Sequence, residues 1–322
     1  MRAAVVRTFD SVPRYEEFAG PVPANDHEEV VEVLAAGLHP RVRSQADGSH
    51  YTSTEELPLI PGIDGVGRRA DGSLVYFILP DTVYGSMAER TVIDVRRSVP
   101  LPADADAVLL AAAMNPAMSS WVALRKRIAF EPGRSVLILG ATGSAGQLAI
   151  QVAKRLGASR VVAAGRDADR LAALGALGAD ATIDLAAAPE RVAAQLAAEA
   201  ADVDVVLDYL WGAPAESAIM PLLTARADRG KLLSWIEIGS VAGPDITLPS
   251  AALRQANVQF LGSGQGSVTA AGILEVLPSL VEEIDAGTFS IDVVTRPLAE
   301  VERIWTESPD RSTERIVFVP AS

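Results

Sequence analysis

The 322-residue chain contains no cysteine. That excludes disulfides, a thiolate nucleophile and every thiolate metal site. It fits a reducing compartment, and the expected location is cytoplasmic. Basic residues are also scarce. Lysine occurs only at Lys126, Lys154 and Lys231, and 28 Lys and Arg face 41 Asp and Glu, for a net charge of −13. Such a surface repels nucleic-acid phosphates and an anionic membrane, so neither is an expected partner. No uninterrupted apolar run reaches the roughly 20 residues of a membrane helix. The N-terminal stretch Met1-Arg-Ala-Ala-Val-Val-Arg-Thr reads as a short strand rather than a signal peptide. What remains is a chain 49% hydrophobic, long enough for two domains of ordinary size and able to bury a large core.

The most informative segment is Val136-Leu-Ile-Leu-Gly140-Ala-Thr-Gly143-Ser-Ala-Gly146-Gln-Leu-Ala-Ile150-Gln-Val-Ala-Lys154. An apolar run ends in a glycine-rich turn that opens directly into a helix. Backbone N–H groups at a helix N-terminus, with the positive end of the helix dipole, suit a pyrophosphate. Glycines let the backbone approach the phosphates and let helix and strand pack closely. The spacing is GxxGxxG, and the predicted pyrophosphate contacts are Thr142, Gly143, Ser144, Ala145 and Gly146.

A second apolar run, Arg160-Val-Val-Ala-Ala-Gly165-Arg166, ends about 20 residues beyond the glycines, where a dinucleotide-binding unit places its ribose-recognition residue. An NAD site usually carries Asp or Glu there. Here the strand ends in Gly165-Arg166. A carboxylate repels a 2′-phosphate, whereas a guanidinium binds it through charge-assisted hydrogen bonds. The expected cofactor is therefore NADPH, held by Arg166 with Arg170 assisting. Asp167 is the competing group, because its carboxylate suits a 2′-hydroxyl.

The chain changes texture along its length. Residues 1–119 are β-rich, with strand-like Val30-Val-Glu-Val-Leu and Ala88-Glu-Arg-Thr-Val-Ile punctuated by Pro, Gly and Asp. Residues 120–263 alternate strands with alanine-rich helices, the pattern of a parallel sheet with crossover helices. Strands are expected at 136–139, 160–164, 181–184, 203–208, 230–238 and 258–261, and helices through 154, over 167–177, 189–200 and 214–223. Residues 264–322 read as one long helix over 269–286, then strands at 291–294 and 316–319, packing back on the β-rich part. No internal repeat or low-complexity linker is present.

This organisation resembles the medium-chain dehydrogenase/reductase superfamily over essentially the whole chain. Pro61-Gly-Ile-Asp-Gly-Val-Gly67 resembles its PGxExxG segment, and Glu131-Pro-Gly-Arg-Ser-Val-Leu-Ile-Leu-Gly140 its entry into the cofactor domain. Ala112-Ala-Met-Asn115-Pro-Ala-Met-Ser-Ser-Trp121 resembles the helix that crosses between domains. A short-chain dehydrogenase would begin with its glycine motif and carry Tyr-x-x-x-Lys, and no tyrosine here has lysine four residues on. The resemblance implies an α/β chain with a GroES-like β-rich catalytic domain and a doubly wound parallel-sheet (Rossmann) cofactor domain, working as a homodimer through a strand at 258–261. Zinc members of the superfamily use a Cys, the His-Glu of their PGHE segment, and a second Cys or His. Here that His is Ile63, that Glu is Asp64, and His39 stands where the first Cys is expected. No metal site is expected, and the resemblance is to the zinc-independent, quinone oxidoreductase-like branch.

Without a Lewis acid, the expected chemistry is hydride addition to an electron-poor acceptor, a quinone or an α,β-unsaturated carbonyl compound. The enolate or phenolate left behind needs a proton donor. Family position makes Tyr51 the catalytic candidate and a pocket-lining residue, with His39 and Asn115 as further substrate contacts. It also makes Tyr209, Ile238, Gly239, Ser240, Leu261, Gly262, Ser263 and Arg315 cofactor contacts, and leaves Trp121 in the core. The alternatives are an enoyl-thioester reductase, disfavoured by the acidic chain, and a low-turnover NADPH-binding redox sensor.

Overall fold

The structure is a computed structural model, and it describes residues 1–307 and 314–321. It divides into two compact units. The first holds Met1–Asn115 with Leu277–Ser322, and the second holds Pro116–Val276. The division thus falls a little before residue 119 and well after residue 263, where the sequence changes texture.

In the first unit, strands Val293–Pro297, Arg315–Val319, Glu28–Gly37, Asp64–Arg68, Leu74–Ile78 and Ser98–Pro100 lie side by side, and Arg90–Asp94 pairs with Glu28–Gly37 off this path. Arg2–Val5 and Arg14–Glu17 form a separate antiparallel pair. Inward residues Val31, Val33, Ile63, Val75, Phe77, Ile93 and Phe318 form one apolar core. The returning C-terminal segment completes that sheet. Val317 pairs with Gly37 and Phe318 with Ala36, antiparallel, and the Leu38 N–H donates to the Ile316 carbonyl at 2.9 Å. A helix that the β-rich pattern hides, Pro40–Ala46, starts straight after His39, with Pro40 preset for its first turn.

The second unit is a six-stranded parallel sheet in the order 181–184, 160–165, 135–139, 205–208, 233–237, 258–262. Numbered along the chain this is 3-2-1-4-5-6, the doubly wound order of dinucleotide-binding domains. The direction of winding reverses between 135–139 and 205–208, and the crevice at the carboxyl ends of those two strands is where such sheets hold ligand. The central strands read Val-Leu-Ile-Leu and Val-Val-Leu because both their faces are covered.

Several expected elements are shortened. The long helix over 269–286 is two helices, Ala270–Leu274 and Leu277–Asp285. Pro278 has no N–H to continue the first helix but suits the first turn of the second. The helix expected over 167–177 is α-helical only at Ala168–Ala173, then tightens to a 3₁₀ turn that ends at Gly178, φ 107°. The strand expected from 230 starts at Leu233, because Asp228 and Gly230 form a turn with a 2.8 Å side-chain bond. Residues 107–127 form one helix apolar and long enough, by length and composition, to cross a membrane, although Asn115, Ser119 and Ser120 interrupt the run. Its most apolar window is 67% buried within the fold, as in a core helix. Trp121 lies in it at 1% exposure, donating its indole N–H to the Val276 carbonyl at 3.0 Å.

Candidate active site

The glycine turn sits at the reversal point of the parallel sheet. Gly140 has φ 89°, a left-handed conformation that L side chains rarely adopt. A Cβ on Gly146 would lie 2.3 Å from the Gly140 carbonyl oxygen, so only glycine lets the helix pack this closely on the turn. The helix Ser144–Arg155 begins at Gly143 with no side-chain cap and no acidic residue in its first turn, while Lys154 and Arg155 occupy its last turn. Its buried face carries Leu148, Ile150 and Val152. Such an N-terminus offers backbone donors and a positive dipole end to an anion.

The next strand ends beside this turn. A Cβ on Gly165 would approach the Thr142 side chain to 2.6 Å, so Gly165 makes room for that residue. Arg166 is exposed and forms no ion pair among the described residues. Asp167, the competing carboxylate, is occupied as an N-cap. It accepts the Arg170 backbone N–H at 3.1 Å and pairs with the Arg170 guanidinium at 3.2 Å.

At the neighbouring strand ends, the Ile238 and Gly239 N–H groups donate to the Asp208 carbonyl at 2.7 and 3.2 Å, and Ser263 N–H to the Glu237 carbonyl at 2.8 Å. Ser240 and Gly262 are exposed, and Leu261 and Ser263 half-buried. Tyr209 differs from the expectation. It is 9% exposed, and its hydroxyl hydrogen-bonds Ser119 at 2.9 Å. Burial pushes this phenol up to about 12, so it stays protonated.

Asp208 is a site residue that the sequence reading misses. It is fully buried and accepts the backbone N–H groups of Leu210 and Trp211, both at 2.9 Å, and the indole N–H of Trp235 at 3.0 Å. Burial holds its carboxyl above the usual range despite these donors. The Asx-like clasp fixes Trp211 at φ 49°, the one non-glycine residue with positive φ among the described residues. Glu237, register partner of Asp208, is also shifted upward, by burial and then by the Asp208 charge.

In the first unit a second polar group forms around His39. The His39 ring is 4% exposed and its Nε2 lies 3.1 Å from Asp64 Oδ1. Tyr76 donates its hydroxyl to Asp64 Oδ2 at 2.8 Å. Arg315, expected beside the cofactor phosphates, is placed here at 4% exposure, with Nε donating to the Ala112 carbonyl at 3.1 Å and Nη2 buried without a partner. The strand pairing explains its place, since Ile316 lies opposite Leu38 and brings Arg315 against His39. Burial holds the guanidinium down to about 10, against the attraction of Asp64 and Tyr76. It also holds His39 below its ordinary range, as do the Arg315 and Arg41 charges, with Asp64 opposing. The His39–Asp64 contact is thus a hydrogen bond from a neutral ring. Tyr76 is raised well above the ordinary phenol range by burial and Asp64.

Tyr51 stands apart from this group. It is 74% exposed, with its ring tilted 30° against His50 at 4.2 Å between centroids. Its loop is pinned by Arg41, which binds both Asp81 oxygens at 2.7 and 2.6 Å and Thr52 at 2.6 Å. Asn115 is half-buried at the end of the first unit.

Residues 145–282 match the zinc-binding dehydrogenase family. The chain is 30% identical to the probable NADPH-dependent quinone reductase tdiC of Emericella nidulans, over 99% of this chain and all of that one. It is 29% identical to the chloroplastic NADPH-dependent alkenal/one oxidoreductase of Arabidopsis thaliana, over 51% of this chain and 46% of that one. The crystal structure of quinone oxidoreductase from Thermus thermophilus, also solved with NADPH, superposes with a TM-score of 0.79 at 28% identity, covering 99% of this chain and all of that one. The chain belongs to the medium-chain dehydrogenase/reductase superfamily, in its quinone oxidoreductase-like branch. The zinc of the family's name does not fit these residues. Ile63 offers no donor, His39 and Asp64 face each other rather than a shared ion, and no group of three His, Cys, Asp or Glu among the described residues could hold a metal.

Proposed function

We propose that this protein is an NADPH-dependent reductase that passes hydride to a quinone or an α,β-unsaturated carbonyl compound without zinc. The observation that carries the reading is the uncapped helix behind the Gly140–Gly146 turn, at the reversal point of the sheet, with Arg166 ending the adjacent strand. Thr142, Gly143, Ser144, Ala145 and Gly146 hold the pyrophosphate. Gly165 leaves space at the ribose, and Arg166 and Arg170 take the 2′-phosphate. Ile238, Gly239, Ser240, Leu261, Gly262 and Ser263 line the nicotinamide half. When bound, NADPH supplies the hydride. Tyr51, His39 and Asn115 serve the acceptor, whose charge after hydride addition sits on oxygen and needs a donor.

Loss of NADPH absorbance against para-benzoquinone, phenanthrenequinone and a set of enones tests this, with NADH as control. Turnover that favours NADPH is the expected result, and the acceptor ranking separates quinone from alkene chemistry. Tight NADPH binding with no turnover across the panel would overturn the reading in favour of a redox sensor.

Among the described residues, the strand Val258–Gly262 pairs on one side only, with Leu233–Glu237, and ends the sheet as a half-buried edge. Open edges invite pairing with another chain. A homodimer continuing the sheet through this edge follows, and light scattering at micromolar concentration is expected to give twice the 33.7 kDa chain mass. A monomeric mass counts against it.

A further inference from the structure

The cluster around His39 is more elaborate than a buried histidine requires. Asp64 accepts at both oxygens, from His39 on one and from the Tyr76 hydroxyl on the other. With Nε2 committed as donor to Asp64, the opposite nitrogen, Nδ1, has a lone pair to offer. It makes no hydrogen bond among the described residues and does not cap the helix that His39 precedes. The side chain keeps a 3% opening. A carboxylate that orients an imidazole and leaves its other nitrogen for proton traffic is the arrangement that acid–base catalysis uses. The surroundings also suit an anion. Arg315 lies beside the ring with one buried Nη2 unpartnered and no ion pair among the described residues. Arg41 adds a second positive charge, balanced by Asp81.

We propose that His39 is the proton donor that completes reduction of the acceptor, with Asp64 and Tyr76 as positioning residues. This rests on the reductase reading above. Bound NADPH would supply the hydride, leaving as NADP⁺, and a C–H or O–H bond would form on the acceptor. An enolate or phenolate oxygen remains. His39 takes a proton from water at Nδ1, leaving hydroxide to the solvent, and passes it on. The Nδ1–H bond breaks as an O–H bond forms on that oxygen, and the ring returns to neutral. The groups facing His39 are Asp64, Tyr76, Arg315 and Arg41. Their balance with burial leaves the ring neutral at rest. With His39 as the acid, kcat/KM therefore falls as pH rises, with a midpoint below the ordinary imidazole value of about 6.5.

His39→Gln keeps an amide for Asp64 but removes the titrating nitrogen. It is expected to lower kcat for para-benzoquinone about 100-fold at pH values below that midpoint, to abolish the fall with pH, and to leave the NADPH Kd within about twofold. Wild-type kcat and pH profile in the variant would overturn the proposal. A second measurement does not depend on turnover. The chain has three histidines, so ¹⁵N-histidine spectra can be assigned by the loss of the His39 signals in the variant. Titrating NADP⁺-loaded wild-type protein with 4-nitrophenol, a stable phenolate mimic, is expected to move the His39 ring signals saturably towards the protonated form. Unmoved His39 signals sink the assignment, whatever the acceptor panel shows. Absence of turnover with moving signals instead sinks the reductase reading and keeps His39 as an oxyanion contact.

Discussion

Arg166→Ala is expected to weaken NADPH binding by about 10- to 150-fold and to leave NADH binding unchanged. One charge-assisted hydrogen bond to a phosphate is worth roughly 1.5–3 kcal/mol, which sets this range. The structure sharpens the case. Arg166 is exposed at the strand end, and Asp167, whose carboxylate would favour the 2′-hydroxyl of NADH, is held by its own helix. On the proposed cofactor site, removing Arg166 takes away a phosphate contact without releasing a ribose acceptor. Fluorescence titration with each nucleotide checks it. Equal losses for NADPH and NADH would show that Arg166 supports the strand end rather than reading the phosphate.

The second large effect is expected at Asp208. Asp208→Ala strands two backbone N–H groups and an indole N–H that Asp208 now satisfies. Each buried donor left without a partner costs about 1–3 kcal/mol. Burying the carboxylate is itself costly, and Trp211 is freed from a conformation worth about 1–3 kcal/mol of strain. The three lost partners outweigh these gains, so a net loss of about 3 kcal/mol is expected in urea denaturation, with NADPH binding weakened because the 209–212 turn loosens. The pH dependence has a definite sign. The folded carboxyl binds its proton more tightly than an unfolded one, so the Asp208 contribution is greatest below the ordinary value of about 3.9 and declines as pH rises through the weakly acidic range. Asp208→Asn removes that decline. A variant whose stability keeps the wild-type slope would assign the slope to other groups, Glu237 first among them.

What the amino-acid sequence reveals here is what depends on neighbours in the chain. The Gly140–Gly146 turn, the strand ending at Arg166 and the parallel sheet are all local patterns, with apolar runs, glycines at fixed offsets and helical periodicity. What escapes such reading is the grouping of residues joined by pairing across distance. His39, Asp64, Tyr76 and Arg315 come from four separate segments, and only the antiparallel register of Arg315–Val319 on Glu28–Gly37 brings the last beside the first. Tyr51 and Tyr209 look alike in sequence as polar aromatics near motifs, yet one faces solvent and the other is sealed against Ser119. Asp208 did carry a local sign, an acid just ahead of the Leu210 and Trp211 amides. The break at Pro278 was written in the chain too, but the apolar periodicity on either side of it masks the restart.

The indole of Trp235 lies fully buried in the sheet, tilted 36° against Phe260 at 5.7 Å between centroids and bonded to the Asp208 carboxylate, two strands from the one that leads into the glycine turn. Tryptophan emission overlaps the absorption of reduced nicotinamide but not of its oxidised form. A rigid, dry indole in that strand is thus placed to act as an energy-transfer donor, and in a chain whose other three tryptophans are replaced its quenching is expected to follow the redox state of a bound nucleotide without a label.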